Sequence, residues 1–201
     1  MKSYLAFDFE TSGLDPRSER IIQVGFCEVV EGEVLDTGGW LVNQSVRISR
    51  EAVAVHGITA EKMSAEGIEP RESLTRLFEM MAKAPACIGH NIHRFDIAFM
   101  NTEASRLGMP APASRDYIDT AALFKGWKLG SRKRLRESHG EYAERVLSMR
   151  VRGLKFSIPA CVKALGVDAD LSDAHDAARD AHLTHLIFQR LKGVLGHEAF
   201  G

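Results

Sequence analysis

The order of strand and helix patterns constrains the fold of this chain more than any other feature of its sequence. Strand-like runs come first, over Tyr4–Thr11, Arg20–Val30 and Glu33–Val42, and Glu31-Gly32 joins the last two as a hairpin turn. Two short apolar segments, ACIGH and DYIDT, then alternate with helical patterns. This order predicts an α/β fold: a mixed five-stranded sheet, made of a three-strand antiparallel meander plus parallel strands, flanked by helices.

Helical periodicity accounts for most of the remaining chain. Helices are predicted over Pro70–Ala82, Phe95–Leu107, residues 121–127, Ser157–Leu165 and Asp176–Leu195, with short helical pieces broken at Gly57. A length of 201 residues suits one domain with a substantial core. We therefore predict a single domain over residues 1–201.

One stretch, which we call the basic insertion, departs from this pattern. Residues 125–155 separate two predicted helices by more residues than a compact domain usually needs. The insertion contains ten Lys or Arg residues and three Glu, a net charge of +7 in a chain whose total is −1. Its densest part, the run from Arg132 to Arg136, has the composition of a solvated loop but also of a contact to a phosphate backbone.

The cysteines and the apolar segments indicate the compartment. Cys27, Cys87 and Cys161 are far apart in apolar surroundings, without zinc-like spacing, so we expect buried thiols rather than disulfides. The sequence shows neither a signal peptide nor a stretch long and apolar enough for a membrane span. We expect a cytoplasmic protein that does not bind membranes.

The first strand carries two carboxylates in a run that is otherwise apolar. Asp8 and Glu10 are one residue apart, so both point to the same face of the strand. Like charges on one face of a core strand repel each other and resist removal from water. Taken alone, the pair has an ordinary interpretation as a strand end exposed to water. Cations bound by the two carboxylates would offset the repulsion.

Further candidate ligands lie at the ends of later elements. Asp96 opens a predicted helix, where the helix dipole also favours a carboxylate. His175 precedes Asp180 by five residues, so the two share a target only if His175 lies in the loop before the helix. Asp176 would then cap that helix. Four carboxylates and a histidine suit hard cations such as Mg²⁺ or Mn²⁺ better than zinc.

Three segments resemble the motifs of the DEDDh, or DnaQ-like, 3′–5′ exonucleases of the ribonuclease H-like superfamily: FDFETSG, GHNIHRFD and HDAARD. The resemblance covers nearly the whole chain outside the basic insertion and implies a ribonuclease H-like fold. Two departures are evident. Three residues separate Asn91 from Phe95, which we interpret as a loop one residue longer than usual, and the insertion is longer than a minimal member needs.

The resemblance also implies a site and a reaction. Asp8, Glu10, Asp96 and Asp180 would hold two divalent metal ions, Mg²⁺ or Mn²⁺, and His175 would accept a proton from the attacking water. The implied substrate is the 3′ end of a nucleic acid, with single-stranded DNA favoured, and the products are nucleoside 5′-monophosphates. Substrate contacts are expected from residues around the motifs and from the basic run: Thr11, Gly13, Leu14, His56, Asn91, Phe95, Arg132, Lys133, Arg134 and Arg136.

Two other functions remain open at this point. The same fold could act on RNA as an exoribonuclease, or it could serve as a non-catalytic module that binds nucleic acid or associates with a polymerase. The complete set of acids argues against the second alternative, because a module without catalysis has no need of all five residues. A polymerase or repair partner is conceivable, but the sequence does not identify one.

Overall fold

Five strands form one mixed sheet in the computed structural model, which describes residues 1–112, 116–171 and 175–196. The strands are β1 (Tyr4–Thr11), β2 (Ile21–Val30), β3 (Glu33–Leu41), β4 (Cys87–Gly89) and β5 (Tyr117–Asp119). Their spatial order is β3-β2-β1-β4-β5. The β1–β2 and β2–β3 pairs are antiparallel, whereas β1–β4 and β4–β5 are parallel. The predicted fold class is therefore confirmed.

Eight helices lie in the described ranges. They are α1 (Arg50–His56), α2 (Ala60–Glu66), α3 (Pro70–Lys83), α4 (Asp96–Arg106), α5 (Thr120–Leu129), α6 (His139–Ser148), α7 (Ile158–Leu165) and α8 (Ala177–Leu195). The predicted break at Gly57 is confirmed, because this residue ends α1 in the left-handed conformation, with φ of 69°. No helix in the described part of the chain is long and apolar enough to cross a membrane.

Strand β1 divides its side chains between two hydrophobic clusters. Leu5, Phe7 and Phe9 pack on one face of the sheet with residues of α3 and α4. Tyr4 and Ala6 pack on the other face with residues of α5, α6, α7 and α8. Since side chains alternate along a strand, the next even-numbered residues, Asp8 and Glu10, continue the face covered by α8. The acids therefore stand at the end of a buried row.

Helix α8 lies directly on the sheet and closes this core. Its residues Leu183, Ile187 and Phe188 are almost fully buried. The approach is closest at Gly25 of β2, where an added Cβ would lie 1.9 Å from the carbonyl carbon of Ala177. A glycine is therefore required at this position for the helix to reach its place beside β1.

The basic insertion contains a helix that the sequence analysis did not predict. Helix α6 begins at a capping box formed by Ser138 and Glu141, and its buried side chains pack toward α5 and β5. These side chains are Tyr142, Ala143, Val146 and Leu147. Their spacing is that of an amphipathic helix. The many charged residues in this stretch conceal the helical spacing of its apolar residues in the sequence.

Two cations of the basic insertion, Lys125 and Arg145, form bonds with other groups of the protein. Lys125 is 3% exposed, and its Nζ donates to the carbonyl oxygens of Leu147 and Met149. Arg145 forms an ion pair with Glu137. The net charge of +7 therefore overstates the positive surface that the insertion offers to a ligand. The three cysteines are buried, as predicted.

Candidate active site

The five predicted catalytic residues line a single cavity of about 610 Å³, which we call the acidic cavity. Asp8 and Glu10 come from β1, and Asp96 is the first residue of α4, close behind β4. His175 lies just before α8, and Asp180 lies in its first turn. Each element therefore brings its side chain to the region where the central parallel strands end, the usual position of a ligand site in such sheets.

The third motif adopts the geometry that its spacing required. His175 lies outside the helix with φ of 74°, and the Asp176 side chain caps α8 by accepting from the Arg179 backbone N–H. Gln23 of β2 holds this end of the helix, because its amide donates to Asp176 and accepts from Ala177 N–H. Ligand atoms of Glu10, His175 and Asp180 consequently lie within 4.8 Å of one another.

The carboxylates of the acidic cavity are held in an environment that disfavours their charge. Removal from water and then the charges of Asp96, Asp180 and Glu10 raise the pKa of Asp8 well above its usual range. Burial, followed by repulsion from Asp180, raises the pKa of Glu10 to about 8. Burial likewise raises the pKa of Asp96 to about 8 and that of Asp180 to about 6. Within the described ranges of the chain, no cation reverses these shifts.

The chemistry of this donor set fits a divalent cation. Asp96 is 2% exposed, and its Oδ1 has no hydrogen-bond partner in the described part of the chain. A buried polar atom without a partner destabilises a fold unless a ligand satisfies it. Oxygen ligands with raised pKa values, together with an unpartnered buried oxygen, are what a hard cation would stabilise.

The second-motif loop, residues 90–95, is fixed by an acid whose role the sequence analysis missed. The Asp119 carboxylate, at the end of β5, accepts from the backbone N–H groups of Asn91 at 3.0 Å and His93 at 3.4 Å. It also caps α5 by accepting from Ala122 N–H. An aspartate directly before a helix signals a cap. Nothing in that local signal reveals the contacts to residues 26 and 28 positions earlier.

Both histidines of the second-motif loop bond to neighbouring elements. His93 Nε2 donates to the carbonyl oxygen of Tyr117 in β5, and Arg94 is exposed. His90 lines the acidic cavity but contacts Thr120 through Nδ1 and the carbonyl oxygen of Phe156 through Nε2. The loop is thus held by contacts to the neighbouring strand and to the segment before α7, and Asp96 reaches the cavity.

The structure separates the predicted substrate contacts into two groups. Asn91 and Phe95 line the acidic cavity. His56 lies near it, since burial and then the neighbouring His175 lower its pKa. Leu14 is 84% exposed beyond β1. The Thr11 hydroxyl donates to the carbonyl oxygen of Gly13 and so shapes the turn that follows β1. The described residues that line the cavity do not include the basic run from Arg132 to Arg136.

The topology of the sheet and the acidic cavity together define a ribonuclease H-like domain with a nuclease-type site. The chain belongs to the exonuclease family, because the family model RNase_T, described as exonuclease, matches residues 5–188. The predicted relationship to the DnaQ-like exonucleases, a family of enzymes, is confirmed. Exonucleases of this family depend on divalent metal ions.

The sequence relatives are much longer polymerases, and this chain matches one part of each. The chain is 28% identical over 188 residues to the DNA polymerase III PolC-type of Thermotoga petrophila. It is 30% identical over 201 residues to the DNA polymerase III PolC-type of Staphylococcus aureus. These matches cover 94% and 97% of the chain but only 12% of each polymerase.

Solved structures share the fold at low sequence identity. A complex of E. coli Exonuclease I with a dA16 oligonucleotide has a TM-score of 0.76 at 19% identity, over 100% of this chain and 42% of that one. A zinc-bound form of the E. coli Exonuclease I complex with single-stranded DNA gives 0.77 at 19% identity, with the same coverage. Exonuclease I from Methylocaldum szegediense gives 0.71 at 22% identity, over 96% and 40%.

Proposed function

We propose that this chain is a 3′–5′ exonuclease that hydrolyses single-stranded DNA from its 3′ end and releases nucleoside 5′-monophosphates. The observation that carries the proposal is the convergence of four acids and one histidine in the acidic cavity, with raised pKa values for Asp8, Glu10, Asp96 and Asp180. The polymerase relatives and the Exonuclease I complexes with DNA oligonucleotides support DNA as the substrate.

The same four acids would hold the divalent metal, for which we propose two ions of Mg²⁺ or Mn²⁺. Metal bound there would supply positive charge to the phosphate and make water more acidic. Asp8 is the proposed shared ligand because its pKa responds to each of the other three acids. Asp96 offers the buried Oδ1 that no described group satisfies. Glu10 and Asp180 complete the set beside His175.

The protein groups have separate tasks in the reaction. His175 would accept a proton from the attacking water, since its ring lies next to the Glu10 and Asp180 carboxylates and outside the rigid helix. The water oxygen bonds to phosphorus, and the bond from phosphorus to the 3′ oxygen of the preceding nucleotide breaks. The terminal nucleotide then leaves with its 5′ phosphate. Phe95 lines the cavity as an aromatic surface on which a base could stack.

The remaining predicted contacts are part of the proposal. Thr11 ends β1, Gly13 and Leu14 follow it, and His56 lies beside His175. These four residues would border the terminal nucleotide. Asn91 lines the same cavity. The basic run from Arg132 to Arg136 would contact the strand farther away, and association with a polymerase is proposed from the PolC relatives alone.

One experiment tests class, polarity and substrate together. Single-stranded DNA and RNA of the same sequence, labelled at the 5′ end, are incubated with Mg²⁺, Mn²⁺ or EDTA. We expect a ladder of shortened DNA with either metal and none with EDTA, with Asp8→Asn as the inactive control. A ladder on RNA alone would replace the substrate with RNA. Release of the label as a mononucleotide would contradict the polarity, and no cleavage under any condition would favour a non-catalytic module.

A further inference from the structure

A second cavity, which we call the adjoining groove, meets the acidic cavity. The groove measures about 530 Å³ and is lined by the end of α6 and the segment that follows, including Leu147, Arg150 and Arg152. Leu154 and Phe156 line both cavities. The two spaces are therefore neighbours that share these apolar side chains, whose surface is suited to sugars and bases.

Positive charge follows the same segment from one cavity into the other. Lys155 is the only Lys or Arg among the described residues that line the acidic cavity. Arg150 and Arg152 are exposed in the adjoining groove, and no hydrogen bond or ion pair engages their side chains within residues 1–112, 116–171 and 175–196. An anionic chain in the acidic cavity thus meets a row of available cations on this side.

The segment is held in place at both ends. Lys125 Nζ donates to the carbonyl oxygens of Leu147 and Met149 and lies 5.1 Å from the centre of the Phe156 ring. The Phe156 carbonyl oxygen accepts from His90 Nε2 at 2.7 Å. Gly153 makes the turn between these anchors with φ of 82°. The anchors give the groove a defined position relative to the second-motif loop.

We propose that the adjoining groove binds the single strand on the 5′ side of the scissile phosphate. Lys155 would contact the phosphate nearest the acidic cavity, and Arg150 and Arg152 would contact the phosphates beyond it. This inference rests on the proposed function, because it assumes that a 3′ terminus occupies the acidic cavity. The five steps of backbone from Arg150 to Lys155 span at most about 18 Å of extended chain, so only a few phosphates are involved.

The structure favours this groove over the run that the sequence singled out. Arg132 and Arg134 line neither of the two cavities in the part of the chain that is described. Their run is followed by Glu137, whose carboxylate accepts from the Arg134 backbone N–H. Hydrogen bonding from Arg145 lowers the pKa of Glu137 to about 2, so this carboxylate stays ionised and fastens the run to α6 through its ion pair with Arg145.

The test measures binding apart from hydrolysis. In an Asp8→Asn background, anisotropy gives the Kd for a labelled single-stranded dodecamer of DNA. Replacing Arg150 and Arg152 with Ala should raise Kd by roughly 3- to 30-fold, as expected for two exposed ionic contacts. The salt dependence of log K should become shallower by up to about 1.4, at about 0.7 per lost phosphate contact. The Arg150→Lys, Arg152→Lys variant should retain most of the affinity and slope.

Matched variants separate this groove from general charge effects. Lys83→Ala with Lys163→Ala removes the same charge from exposed positions on α3 and α7 and should leave Kd within about twofold. Arg132→Ala with Arg134→Ala removes the same charge from the basic run, whose proposed contact to the strand is farther away, and should raise Kd less than the Arg150/Arg152 variant does. An equal rise in Kd for either control, or a larger one for the run, would overturn the proposal. So would a lowered melting temperature of the Arg150/Arg152 variant that accounts for its loss of binding.

Substrate length provides the second readout. In the active protein, the KM for the dodecamer should rise relative to the KM for a dinucleotide, whose single phosphate lies at the scissile bond. An equal rise for both substrates would overturn the groove. A protein that hydrolyses nothing but shows the predicted binding pattern would refute the exonuclease and retain the groove. An active exonuclease without the predicted binding pattern would retain the proposed function and refute the groove.

Discussion

Replacing Asp180 with Asn should stabilise the metal-free protein at alkaline pH, although it removes a proposed ligand. Asp180 is 8% exposed, and one of its carboxylate oxygens lies within 4.8 Å of one from Glu10. Two unit charges at that distance repel by about 3.5 kcal/mol at an effective dielectric constant of about 20. Because Glu10 is partly exposed, we expect the substitution to recover about 1–3 kcal/mol, or about 2–12 °C in Tm.

The difference in stability between Asp180→Asn and the wild type depends on pH. The folded-state pKa values of Asp180 and Glu10 are raised to about 6 and about 8, so the folded protein holds protons that the unfolded chain has released. The stability of the metal-free wild type therefore falls as pH rises from about 4 to 8. At pH 5 Glu10 is protonated in the folded state, the repulsion is absent, and Asp180→Asn should match the wild type. At pH 8.5 the variant should be more stable.

The assay is thermal unfolding in EDTA at both pH values, with exposed Asp168→Asn as the control for the same chemical change. Saturating Mn²⁺ should invert the order at pH 8.5. Ligand at about 1,000 times its Kd stabilises by about 4.1 kcal/mol, which exceeds the expected advantage of about 1–3 kcal/mol, and the variant should lose most of that gain. A variant less stable than the wild type in EDTA at pH 8.5, or a difference equal at the two pH values, would show that carboxylate repulsion does not govern this site.

Three further substitutions probe the site and its support. Asp8→Ala should abolish hydrolysis with an unchanged circular dichroism spectrum, and near wild-type turnover would remove Asp8 from the proposed metal site. His175→Asn should lower kcat by about 10²–10⁴ and flatten the acid limb of the pH–rate profile, because a histidine base works only when unprotonated. An unchanged limb would identify another base. Gly25→Ala should cost about 1–3 kcal/mol by pushing α8 off the sheet, whereas Gly38→Ala, whose Cβ meets only the Phe26 ring at 3.6 Å, should cost less. Equal losses of unfolding free energy for the two variants in urea would show that the close contact between Gly25 and Ala177 does not determine stability.

The sequence predicts those parts of the fold that depend on local patterns. Alternation along β1 placed Asp8 and Glu10 on one face, and the spacing of His175 and Asp180 required the loop and cap that the structure contains. The convergence of the site residues in space does not depend on a local pattern. Glu10 and Asp180 are 170 positions apart, and no period or cap signal brings them together. Their meeting was predicted from their placement at the ends of elements and from resemblance to a family.

Misjudged parts have equally physical reasons. Helix α6 was hidden because its buried residues share a segment with ten cations, and charge dominates the appearance of such a stretch. Asp119 was overlooked because its local pattern is complete as a cap, whereas its bonds to the second-motif loop depend on which strands are neighbours. The aim of His93 depended on the same neighbour, since its acceptor is a backbone oxygen of β5.

The position of α8 has a consequence for the order in which the protein becomes functional. This helix covers β1 and β2, completes the hydrophobic cluster around Tyr4 and delivers His175 and Asp180. A chain emerging from the ribosome at about 5–20 residues per second therefore exposes its first strands for many seconds before the partner helix exists. Folding must wait for contacts of very long sequence separation, which are slow to form. The proposed hydrolytic site is consequently incomplete until α8 docks, so folding and assembly of the site arise in one cooperative step.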